Sequence, residues 1–146
     1  MTVLSGVLWL LLLSSVASAT PFSNCGFTGA LLDVKVGDCD HLPCVIKRGS
    51  TVPMQVRFKA VQEIVSMKSM IFGLLDNIPI PLDYDNQMCS QMLAGRCPAK
   101  AGQELTYAVD LPVAADMPAV GITLEWHITD QHDATVLCAL VPAQFT

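Results

Sequence analysis

An all-β fold, an antiparallel sandwich of about seven strands in two sheets, is what this sequence predicts. Three observations carry that expectation. Apolar and polar residues alternate with period two in several segments, no stretch sustains a helical period, and turn residues punctuate the segments.

Residues 1–19 come first and carry no charged side chain. The apolar run 6–13 is too short to cross a bilayer, and Ala17-Ser18-Ala19 has the small-x-small pattern of a signal-peptidase site. A secretory leader over 1–19 and one domain over 20–146 are expected. Residues 30–36 form the first strand candidate. Val52, Met54, Val56 and Phe58 then share one face, with Gln55, Arg57 and Lys59 on the other, after the turn signal Lys47-Arg48-Gly49-Ser50. A candidate at 63–75 ends at Asp76-Asn77. Next, Ile78-Pro79-Ile80-Pro81-Leu82 has prolines that cannot donate to a ladder, which makes it an edge or an extended connection with Ile78, Ile80 and Leu82 along one side. Leu105, Tyr107, Val109 and Leu111 alternate after Lys100-Ala101-Gly102. An irregular apolar connection around Leu111-Pro112-Val113 and Met117-Pro118-Ala119 follows. Ile122, Leu124, Trp126 and Ile128 give the cleanest alternation, and 135–141 closes the set after Asp130-Gln131-His132-Asp133.

Composition narrows the function. The chain has 146 residues, 52% apolar and 14% charged, with 8 Lys plus Arg against 13 Asp plus Glu. Such a chain can fill a core and is no acidic disordered tail. It lacks the basic footprint of a nucleic-acid binder, since Lys47-Arg48 is its one adjacent basic pair. Cys25, Cys39, Cys44, Cys89, Cys97 and Cys138 make an even count, read in a secreted chain as three disulfides among about 15 pairings. Proximity favours Cys39 with Cys44 and Cys89 with Cys97, leaving Cys25 for Cys138. Zinc is the competing reading, but the usual C-x2-C spacing is missing from these pairs.

Catalytic signatures are sparse. There is no G-x-S-x-G elbow, glycine-rich phosphate loop or H-E-x-x-H, and His41, His127 and His132 fall in a disulfide loop, on an outward strand face and in a turn. Asp83 and Asp85 flank Tyr84 without the spacing of a calcium loop. No enzyme, metal or cofactor is therefore expected. The apolar loops and the six methionines of residues 20–146 fit a deformable hydrophobic cavity between the sheets, the default ligand site of a domain without catalytic groups.

The order of residues adds a resemblance. Asn24-Cys25-Gly26, Asp38-Cys39-x4-Cys44, Arg48-Gly49, the Gly73-to-Pro81 segment, Cys97-Pro98, Tyr107, Leu111-Pro112-Val113, Pro118, Glu125-Trp126, Asp130 and Cys138 recur in order. On these motifs the chain resembles the MD-2-related lipid-recognition (ML) family, and within it the Niemann-Pick type C2 group of secreted sterol-binding proteins. That resemblance implies an immunoglobulin-like sandwich whose sheets part to admit a lipid, and the same three disulfides. It implies a pocket wall of Met54, Val56, Val120, Ile122, Leu124 and Trp126, with Ile80, Leu82, Val113, Met117 and Pro118 at the entrance. Sterol-binding members have aromatics where Leu82 and Met117 stand and a tryptophan where Ala139 stands, so this entrance is more aliphatic.

The function so implied is a secreted, monomeric, non-enzymatic carrier of a sterol or fatty-acyl ligand, working outside cells or in the lysosomal lumen. Its contact with membranes or acceptor proteins would be transient. A polar group for the ligand's hydroxyl or carboxylate is expected at the mouth, without a residue assigned. The alternative function is an innate-immune module of MD-2 type that presents a microbial lipid to a receptor.

Overall fold

The computed structural model describes residues 19–26 and 30–146, so the predicted leader lies, apart from Ala19, outside the described residues. Seven strands of six residues or more build the molecule: β2 (Leu31–Val36), β4 (Thr51–Lys59), β5 (Met67–Leu75), β6 (Ile78–Asp85), β8 (Glu104–Pro112), β9 (Gly121–Asp130) and β10 (Thr135–Phe145). Three short strands join them at the edges, β1 (Ser23–Asn24), β3 (Cys44–Ile46) and β7 (Met92–Ala94), together with a single 3-10 turn at Met88–Ser90.

The strands form two sheets. One has the order β1-β10-β9-β5-β6 with β3 added beside β10, and the other has β2-β4-β8-β7. All pairings are antiparallel except β3 with β10. Between the sheets the alternation read from sequence becomes a core. Val34, Met54, Val56, Phe58, Leu105, Tyr107 and Leu111 come from one layer and Ile71, Leu124, Trp126, Ile128 and Val141 from the other, all buried.

Local chemistry explains the boundaries. Asp76 and Asn77 adopt φ of 50° and 64° and close the two-residue β5-β6 hairpin, the backbone that Asp and Asn tolerate best among residues with a Cβ. The β5 strand begins at Met67 rather than at 63. Residues 63–66 are drawn off the ladder because Ile64 bridges to Ala99 and the Val65 N–H donates to Gln131 Oε1 at 2.9 Å. The P-x-P segment is the edge strand β6, with its prolines exposed. Cys25–Cys138, Cys39–Cys44 and Cys89–Cys97 are all bridged. The first of these ties β1 to β10. Thr20 anchors the domain's start by donating its N–H to the Val34 carbonyl at 2.8 Å.

Candidate functional site

The β5-β6 hairpin and the 113–120 connection lie at the same end of the sandwich. Leu82, Met117 and Val120 are partly buried against the core, and Val113 is buried, whereas Pro118 is exposed and Ile80 half-buried. The wall residues behind them come from facing sheets. Met54 and Val56 stand on β4, Ile122, Leu124 and Trp126 on β9, and all five belong to one continuous apolar cluster. Three concavities of the described surface lie elsewhere, about 90 Å3 beside Ile64 and Val136, 190 Å3 along Val36, Cys44 and Val52, and 310 Å3 beside Asp38 and His41. The side chains of the predicted wall and entrance line none of these three.

Two local features shape this end of the sandwich. Gly73 on β5 leaves space that a Cβ would enter, 3.1 Å from Ile122 Cδ1 and 3.3 Å from Leu82 Cδ1, so its missing side chain lets Leu82 lie close to Ile122. On the opposite side Arg48 staples the connection, its Nη1 donating to the Met117 carbonyl at 3.0 Å and its Nε to the Thr146 carbonyl at 3.3 Å. Backbone bonds from Gly49 N–H to Val113 O and from Val113 N–H to Ser50 O complete the attachment.

A β-bulge then changes which residues face inward. Along β6, Pro81 pairs with Phe72 and Asp83 with Ile71, so Leu82 is the extra residue. Leu82 keeps its inward side and Asp83 follows on that side, opposite buried Ile71. Asp85 comes next, opposite buried Ser69. A strict period of two would have sent both carboxylates outward.

Asp85 Oδ2 accepts a 2.6 Å hydrogen bond from the Tyr107 hydroxyl, which reaches across from β8 in the other sheet. Trp126 Nε1 donates to Ser69 Oγ at 2.8 Å, and the Trp126 and Tyr107 rings meet edge to face at 6.2 Å. Burial, then the hydrogen bond to Asp85, pushes the Tyr107 phenol well above its ordinary 10. Burial and the Asp85 charge raise the Asp83 carboxyl above its usual 3.8. Asp83 Oδ2 is itself buried and has no hydrogen-bond partner.

The three histidines stay apart. His41 is exposed beside Asp40, His127 meets Thr135 at 2.9 Å, and His132 sits in the β9-β10 turn. A single metal-like cluster occurs among the described residues, Cys25, Glu125 and Cys138, and its cysteines are spent in a disulfide.

A family model described as ML domain matches residues 19–145. The chain belongs to the ML domain family. Within this family the chain is NPC2-like and not an enzyme. It is 30% identical over 145 residues to NPC intracellular cholesterol transporter 2 of Sus scrofa, covering 97% of this chain and 96% of that protein. Among solved structures, a Niemann-Pick type C2 protein from Japanese carpenter ant superposes with a TM-score of 0.77 at 23% identity, over 87% of this chain and all of that one. Chicken MD-1 complexed with lipid IVa matches with a TM-score of 0.53 at 16% identity, over 82% and 83% of the two chains. These likenesses establish for this ML protein the immunoglobulin-like sandwich that the sequence led us to expect.

Sequence reading found the buried strand faces that carry Met54, Val56, Ile122, Leu124 and Trp126, because alternation reports burial directly. It missed the inward roles of Asp83, Asp85 and Ser69 and the staple formed by Arg48. For the two aspartates the signal present was a carboxylate pair around Tyr84, with nothing to announce the bulge.

Proposed function

We propose that the chain is a secreted carrier that takes one sterol or fatty-acyl ligand between its two sheets and delivers it to membranes or acceptor proteins, extracellularly or in the lysosomal lumen. The observation that carries this reading is the convergence of Met54 and Val56 from one sheet with Ile122, Leu124 and Trp126 from the other in one apolar cluster bordered by Leu82, Met117 and Val120. The similarity to a named cholesterol transporter supports it. A lipid inserted here leaves water for apolar surface, gaining about 25 cal/mol for each Å2 buried. Entry requires the sheets to part at the aliphatic mouth, where Leu82, Met117, Val113 and Ile80 meet the incoming tail and Pro118 lies outermost. No residue of this chain acts chemically on the ligand.

The test is to purify the secreted protein, extract it with organic solvent and identify the extract by mass spectrometry. Candidate lipids are then added back while Trp126 fluorescence is followed. A stoichiometric sterol or fatty acid with a saturable Trp126 response is expected. Leu82→Asp and Met117→Asp, both partly buried, should each weaken lipid binding roughly tenfold or more while the fold survives. Unchanged affinity in both variants would refute the proposed mouth. The likeness to an MD-1 structure holding lipid IVa keeps a lipid-presenting module as the second reading. A preference for multi-acyl lipids, together with a lipid-dependent protein partner, would favour it.

A further inference from the structure

The carboxylate of Asp83 sits immediately behind Leu82, on the inner side of the edge strand. Its Oδ2 is shielded from solvent and accepts no hydrogen bond, although the groups around it are otherwise partnered. Asp85 is held by the Tyr107 hydroxyl, while Ser69 accepts from Trp126. Ser69 and Tyr107 are fully buried. A buried acceptor left unpaired costs free energy, and a donor brought to it recovers that cost. The apolar wall begins beside this oxygen, with Ile71 opposite and Ile122 close to Leu82.

We propose that Asp83 Oδ2, backed by the Asp85–Tyr107 hydrogen bond, is the polar subsite that receives the hydroxyl of an alcohol-headed lipid and rejects free fatty carboxylates. This rests on the carrier reading and selects within it. The chemistry favours an alcohol for two reasons. A carboxylate headgroup would meet two carboxylates, Asp83 and Asp85, across a short span of low dielectric, which repels it. A hydroxyl can donate to an ionised Asp83 or accept from a protonated one, so it fits either state, whereas an ammonium fits the ionised state alone. The groups that face this point are Asp85 on the same strand, Ser69 on β5, Trp126 on β9 and Tyr107 on β8. No cation among them would attract an acid.

The experiment titrates the secreted protein with oleyl alcohol and with oleate, which share one chain and differ in the headgroup, following Trp126 fluorescence near neutral pH. The wild-type protein should bind the alcohol about tenfold more tightly or better, the worth of one hydrogen bond to a charged group. Asp83→Asn keeps the shape, removes one negative charge and supplies an N–H donor, so the ratio should fall severalfold, chiefly through tighter binding of oleate. Equal or stronger binding of oleate by the wild type overturns the subsite, with no variant needed. So does an unchanged ratio in Asp83→Asn. Binding of both lipids without preference leaves the carrier reading intact and refutes this inference alone, while binding of neither refutes both.

Discussion

Tyr107 reaches from one sheet to donate its hydroxyl to a carboxylate of the other, so a single side-chain hydrogen bond joins the two layers at this point. Tyr107→Phe leaves Asp85 without this donor, and should destabilise the fold by about 1.5–3 kcal/mol in urea unfolding, the range for hydrogen bonds to charged groups. Asp83 behaves differently, because its carboxyl is raised by burial and by Asp85. The native state then holds this proton more tightly than the unfolded chain. Stability from this group is full below the ordinary value of 3.8 and falls as pH rises through the raised native value. Asp83→Asn removes that slope. Its melting temperature relative to wild type should therefore be more favourable at about pH 7 than at about pH 3, and a constant difference would contradict the assignment.

Among the elements, the β9-β10 hairpin depends on one buried side chain. Asp130 Oδ1 accepts from the His132 N–H at 2.8 Å and the Ala134 N–H at 3.1 Å, holding the turn in which Asp133 has a φ of 57°. Asp130→Ala removes the oxygen to which both N–H groups donate and should cost about 1–3 kcal/mol, with Asp130→Asn recovering part of it, as read by thermal unfolding. The edge strand β6 shows how legible each element was. Its prolines announced an edge, and the structure has an edge. Its bulge at Leu82 could not be read, because a bulge is set by how β6 pairs with β5 and leaves no mark in the composition of either. Strand β3 escaped for a related reason. Three residues are too few to show a period, and its parallel register against β10 depends on where the Cys39–Cys44 loop delivers the chain.

For the whole molecule, the disulfides divide by the length of chain they close. Cys25–Cys138 spans 113 residues, and in the chain-entropy model its loss should cost roughly 4–5 kcal/mol. Cys39–Cys44 spans 5 residues, and its loss should cost roughly 2 kcal/mol on the same model. Paired Cys→Ser variants followed by denaturant unfolding check the order, and a larger effect at the short loop would count against the model. Arg48 acts on a similar scale, joining the 113–120 connection to the last residue of the chain. Arg48→Ala should loosen the mouth and speed lipid exchange in a fluorescence transfer assay, with a modest loss of stability.

The longer strands, the inward faces of β4, β8 and β9 and the two short disulfide loops were determined by the sequence, because alternation, turn residues and close cysteine spacing act over a few neighbouring positions. The burial of Met54, Val56, Ile122, Leu124 and Trp126 was legible for that reason. Tertiary structure alone decided which polar groups enter the interior. Asp83 turns inward through a bulge, Asp85 meets Tyr107 from 22 residues away, and Arg48 reaches Met117 from 69. Each of these depends on the register of one strand against another, and register is fixed by the packing of the two sheets together.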